Sequence, residues 1–305
     1  MNSNTIEQRA ILTGALVSML MAVAGWTAYY YSGSQALLLD GNFSLIGAIA
    51  TLVGLKIAKI KANKTTTFPF GQYVFESLYS LLIGLLTLGL IISASIENGL
   101  KIFSYIEGER FEAINTSIIG IYTIAMMLLC FGLTWLFLYC NKKIGNSSTM
   151  LSAYTVQSFI DGAMSAGAGL SLVGMSLIPT ASQWGFLTQI GDSIVVIALC
   201  LLVIYQPIKL IRSSFIEMSG GVLQDEETKN SIRDIINKHI DLESLDELFI
   251  SKTGSSFLVI AFVGRIYLEE AGIEKTFELK ELIATQLKDK YEHSTFEMAL
   301  SGQQA

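Results

Sequence analysis

The chain has 305 residues, of which 51% are hydrophobic and only 15% charged, with a mean hydropathy of +0.52. That balance excludes a soluble enzyme and points to a polytopic membrane protein. The net charge of −6 is unevenly spread: residues 219–305 hold 16 acids against nine bases, a balance that attracts neither nucleic acid nor anionic lipid.

Six segments approach or exceed the roughly 20 apolar residues that cross a bilayer. They run over 10–31, 36–58, 74–96, 116–140, 150–176 and 187–208. The first is too long for a signal peptide, and its single upstream base, Arg9, is offset by Glu7. Cys130, Cys140 and Cys200 all fall within spans and form no CxxC pair, so they read as packing residues and not as a disulfide framework. Lys56, Lys59, Lys61 and Lys64 follow the second span, Lys142 and Lys143 the fourth, and Lys209 and Arg212 the sixth. The opposite side has Lys101 and Arg110 beside Glu97, Glu107, Glu109 and Glu112. The positive-inside rule therefore predicts a multi-pass protein of the cytoplasmic membrane with both termini in the cytoplasm.

Apolar runs end at Ser219-Gly220-Gly221. This divides the chain into a transmembrane domain, 1–218, and a small cytoplasmic domain, 219–305. Asp225-Glu226-Glu227 suits a helix start, and Ile232, Ile235, Ile236 and Ile240 follow with the spacing of one buried face. Strands are predicted over 245–251 and 255–268, joined at Lys252-Thr253-Gly254. A second amphipathic helix covers 271–290, with Ile273, Phe277, Leu282, Ile283 and Leu287 as its expected inward face. Phe296, Met298 and Leu300 alternate in a last strand. The fold class is thus an α-helical membrane protein of six spans plus a small α+β domain of order αββαβ. At under 90 residues that domain is marginal alone, and pairing with a second copy is expected.

Two acids stand out, Asp40 in the second span and Asp161 in the fifth. A carboxylate at membrane depth is costly and usually marks an ion pathway; the alternative is a neutral, hydrogen-bonded group acting as helix glue. Asp40 lies 16 residues before Lys56, about 24 Å along a helix, and Asp161 lies 18 after Lys143, about 27 Å. Lysines anchored at one interface therefore put both acids at one level of the membrane. Ser44 is at i+4 from Asp40 and Gln157 at i−4 from Asp161, each on its neighbour's helix face. Asp40, Ser44, Gln157 and Asp161 form a candidate four-ligand cation site. Gly162, Ala163, Ser165, Ala166, Gly167 and Gly169 supply overlapping small-xxx-small pairs for close helix packing. No P-loop, GxGxxG or HExxH is present, so no catalytic residue and no bound cofactor is expected.

With these features the chain resembles the cation diffusion facilitator family of metal/proton antiporters. Leu38-Leu39-Asp40-Gly41-Asn42-Phe43-Ser44 resembles its second-span motif, an Asp or His and an Asp four residues apart. Gln157-Ser158-Phe159-Ile160-Asp161 is similar to its fifth-span His-xxx-Asp. Phe68-Pro69-Phe70-Gly71-Gln72, followed by Glu76, resembles the HPFGH…E segment before the third span, and Asp192 fits the sixth. The resemblance implies a homodimer, paired through the cytoplasmic domain, that exports a divalent cation in exchange for protons. It also implies that the metal ligands are Asp40, Ser44, Gln157 and Asp161. A usual acid and a usual His are here a hydroxyl and an amide. An all-oxygen site suits hard ions such as Mn²⁺, Mg²⁺, Fe²⁺ or Ca²⁺ better than zinc. Both His of HPFGH are missing, at Phe68 and Gln72, so no accessory metal is expected there. Val74 and Gly220 stand where many relatives have a base and an acid linking the spans to the cytoplasmic domain. Of its two histidines, His239 ends the first helix and reads as a solvated side chain, and His293 precedes the last strand with no Cys or His partner nearby, so neither is expected to hold a metal. Two rival functions remain: a non-transporting partner or sensor of the same fold, and a transporter of monovalent cations.

Overall fold

The computed structural model describes residues 3–111, 118–143, 149–178 and 182–301. Glu112 and the expected opening of the fourth span at 116 lie outside them. The chain divides into two compact units, one of Met1–Lys56 with Ile83–Ile208, the other of Ile57–Leu82 with Lys209–Ala305.

Seven helices come first: α1 (Ser3–Ser32), α2 (Gln35–Ile60), α3 (Val74–Ile106), α4 (Ile119–Lys143), α5 (Thr149–Ser176), α6 (Leu187–Val203) and α7 (Tyr205–Met218). Among the described residues, five stretches are long and apolar enough to cross a membrane: Gln8–Ser32, Gln35–Ile57, Val74–Ile106, Ile119–Lys143 and Leu187–Met218. The expected fifth span coincides with α5, whose 28 residues reach about 42 Å. Several helices outrun their apolar windows. α3 continues through Glu97, Asn98 and Lys101 before Gly108, at φ +107°, follows its end. Polarity moves a helix out of the hydrocarbon without ending it; termination needs a backbone device such as this glycine.

In the first unit, α4 supplies the central stripe. Ile119, Tyr122, Met126, Cys130, Leu133 and Phe137 recur every three or four residues and are all buried. Its fit against α5 depends on small residues. A Cβ at Gly162 would lie 2.9 Å from the Cβ of Cys130, and one at Gly169 would overlap Thr123. Ser165 is buried with these two glycines, while Ala163 and Gly167 face outward, so one side of the expected small-residue pattern makes the helix contact. α1 and α2 also cross closely, since a Cβ at Gly25 would sit 2.6 Å from the Cα of Gly41.

In the second unit, α8 (Glu226–Asn237), β1 (Glu247–Thr253), β2 (Ser256–Val263), α9 (Arg265–Ala271), α10 (Ile273–Lys290) and β3 (Ser294–Leu300) form the small α+β part. The sheet order is β1-β2-β3, with β1 antiparallel and β3 parallel to β2. Ile232 and Ile236 of α8 and Ile283 and Leu287 of α10 pack with Val259, Ala261, Val263, Ile250 and Phe296 on one sheet face. The second strand is shorter than expected. It stops at Val263, and the parallel return to β3 occupies the following residues with α9 and α10, as such a crossover requires. The expected inward face of α10 needs correction. Ile273, Phe277 and Leu282 are exposed, while Thr276, Ile283 and Leu287 are buried, because the i, i+3, i+4 rows from Ile283 and Leu287 run back to Leu279 and Thr276. His239 lies just beyond α8 and its Nε2 is 3.0 Å from Gln286 Oε1. His293 packs against the Tyr73 ring. Both are half-buried, so His239 is not the free, solvated group expected.

The β1–β2 turn, Thr253-Gly254-Ser255, closes a polar network in this unit. Lys61 pairs with Glu76 at 2.9 Å and donates to Ser255 Oγ. Glu76 accepts from the Ser255 backbone N–H and hydroxyl. Ser77 donates to Glu217, the Gly254 N–H donates to both, and Lys252 pairs with Glu217 at 3.4 Å. Gly254 sits at φ +56°, and a Cβ there would press on Glu76 and the Tyr73 carbonyl. Charge pairs thus do exist beside Val74 and Gly220, supplied by Lys61, Glu76, Glu217 and Lys252.

Candidate cation site

Asp40 projects from α2 in the second turn of that helix, whose start is firmly held. α1 and α2 are joined through Gly33, at φ +72°, and Ser34. The buried carboxylate of Asp192 on α6 accepts from Ser34 Oγ at 2.7 Å, from the Gln35 N–H at 2.6 Å and from the Ala36 N–H at 3.2 Å. A negative group at a helix start satisfies free N–H donors and meets the positive end of the helix dipole. Asp192 is therefore the anchor that fixes the register from which Asp40 projects.

Asp40 is engaged from two other helices. Tyr122 of α4 donates its hydroxyl to Asp40 Oδ2 at 2.6 Å. Ser165 of α5 donates across both oxygens, at 3.1 Å to Oδ1 and 3.3 Å to Oδ2. Asp161, one turn before Ser165 on α5, lies within electrostatic reach of Asp40 and accepts from Gln157 Nε2 at 2.9 Å. Cys130 is buried within electrostatic reach of both acids.

Of the four residues singled out in the sequence, the structure brings Asp40, Asp161 and Gln157 together. Ser44 is half-buried one turn along α2 and makes no hydrogen bond with the other three. Ser165 and Tyr122 were missed. Ser165 carried a signal, since it is at i+4 from Asp161 on the same face. Tyr122 belongs to another helix and carried none beyond its depth, 21 residues before Lys143. Among the described residues, no three His, Cys, Asp or Glu side chains cluster as metal ligands. The side chains gathered here offer carboxylate, amide and hydroxyl oxygens.

A family model for the cation efflux transmembrane domain matches residues 11–218. The chain belongs to the cation efflux family. It is accordingly a multi-pass membrane protein of a family of metal-cation transporters. No curated protein matches it. The matched region contains Asp40, Asp161, Asp192, Tyr122 and Ser165.

Proposed function

We propose that this cation efflux protein exports a divalent metal cation across the cytoplasmic membrane in exchange for protons, with a preference for a hard ion over zinc. The observation that carries this reading is the approach of Asp40 and Asp161, two carboxylates on different helices, within apolar stretches that nothing but function or local bonding justifies. In the proposed site Asp40 and Asp161 supply the charge, and Gln157 and Ser44 complete an oxygen shell. Carboxylates bind a metal only in their deprotonated form, so cation and protons compete for the same oxygens. Exposing such a site alternately to the two sides couples metal exit to proton entry.

The proposed assembly is a homodimer of six-span subunits, α5 being the sixth membrane-crossing helix and both termini cytoplasmic. It is supported by the marginal size of the 219–305 domain and by the lysine-rich ends of α2 and α4. One rival has a specific observation in its favour. With two acids and no three-ligand cluster among the described residues, a non-transporting partner of the same fold is the second reading.

The test is uptake of Mn²⁺, Mg²⁺, Fe²⁺, Ca²⁺ and Zn²⁺ into proteoliposomes under an imposed pH gradient. Gradient-dependent movement of a hard ion, with zinc slower, is expected. Movement of none of the five supports the partner reading.

A further inference from the structure

We propose that Tyr122 is a positioning residue that makes Asp40 a one-oxygen ligand and thereby favours small hard cations over Ca²⁺; this rests on the cation site proposed above. Tyr122 lies on the buried stripe of α4 between Ile119 and Met126, both fully enclosed, and is itself 6% exposed. Its hydroxyl is directed at Asp40 Oδ2 at 2.6 Å, a short, charge-assisted contact. The Ser165 bond is longer and shared between both oxygens. Oδ2 is therefore the committed oxygen and Oδ1 the freer one.

A cation approaching Asp40 meets Oδ1 first, and chelation by both oxygens requires the Tyr122 bond to be given up. Mg²⁺ binds in octahedral geometry at about 2.0–2.1 Å with few protein ligands, so one carboxylate oxygen suffices. Ca²⁺ takes six to eight oxygens, often through bidentate carboxylates. A donor that reserves one oxygen of Asp40 thus penalises the larger ion more. Hydrogen-bonded partners of metal ligands typically influence affinity 10–100-fold.

Tyr122→Phe keeps the ring that packs on α4 and removes only the hydroxyl. Uptake of Mn²⁺ and of Ca²⁺ into proteoliposomes is measured for wild type, Tyr122→Phe, Ser165→Ala and Asp40→Asn. In Tyr122→Phe the KM for Ca²⁺ is expected to fall about tenfold while that for Mn²⁺ changes little, so that their ratio shifts about tenfold toward Ca²⁺. Ser165→Ala, which removes the weaker donor, shifts the ratio the same way and less. Equal rises for both ions mean a merely structural role, and an unchanged ratio means that Tyr122 does not govern Asp40; either overturns the proposal. Should Tyr122→Phe not assemble, an unchanged ratio in Ser165→Ala counts against it. Asp40→Asn separates the two levels: wild-type transport in that variant removes the cation site itself, whereas its loss beside an unchanged ratio in Tyr122→Phe removes only this inference.

Discussion

Gln157 and Asp161 show how a helical spacing becomes chemistry. Their i, i+4 separation predicts a shared face, and the structure joins them by a 2.9 Å hydrogen bond. That bond uses the amide nitrogen, so that in the proposed site the other end of the amide, Gln157 Oε1, would face the cation. Ser44 has the same spacing from Asp40 without a comparable bond, because Asp40 turns instead to Tyr122 and Ser165. Spacing along one helix was legible in the sequence, and choice among donors on neighbouring helices was not. If Ser44 and Gln157 face the ion, the double variant Ser44→Asp, Gln157→His adds a charge and an imidazole at those positions. Zinc transport is then expected to rise relative to manganese in the same vesicles, since imidazole is a good zinc ligand. An unchanged preference would leave only the two acids in the site.

At the scale of elements, α2 and α8 both begin on a carboxylate, by different routes. α8 is capped by its own flanking residue: Asp225 accepts from the Thr228 hydroxyl and, at 3.0 Å, from the Thr228 N–H. α2 is capped by Asp192, 156 residues distant along the chain from Ala36. The first cap was legible from Asp225-Glu226-Glu227, whereas the second requires tertiary structure. Asp192→Ala leaves two backbone N–H groups and the Ser34 hydroxyl without their buried acceptor. A loss of about 2–3 kcal/mol is expected, read as a Tm lowered by several degrees in detergent; an unshifted Tm would mean that α2 does not depend on this cap. The Asp225 carboxyl is held below the usual carboxylate range by the two bonds from Thr228. A carboxyl depressed by folding stabilises above its unfolded pKa, near 3.9, and loses that contribution as pH falls through its folded value. The Tm gap between wild type and Asp225→Ala is therefore expected at pH 7 and should narrow progressively as pH falls below about 4. A gap that persists undiminished at pH 2 would assign the stabilisation to something other than the charged cap.

At the scale of the whole molecule, the helix α8, the strands and the long helix α10 of the small α+β part were legible because each has its own period, two for strands and 3.6 for helices. The short helix α9 was not, since its Ile266-Tyr267-Leu268 continues the apolar character of β2. The polar network around Thr253-Gly254-Ser255 was also hidden, because Lys61 reads as one of four lysines that orient the chain. The structure gives it two partners, Glu76 and Ser255. The core of the small domain is drawn entirely from residues between Leu223 and Met298. Residues 219–305 alone are therefore expected to fold and, by our dimer reading, to self-associate without metal, as sedimentation and circular dichroism would register. Tight zinc binding that requires both His239 and His293 would contradict this.

If Asp161 belongs to the cation site and is not helix glue, Asp161→Asn removes a charge that the transported cation needs. The amide preserves size and retains a hydrogen-bonding group for Gln157, but removes the charge. Transport of the preferred ion into proteoliposomes under a pH gradient should be abolished, with the variant still folded and with the wild-type oligomeric state. Transport at the wild-type rate would make Asp161 structural and the proposed site wrong.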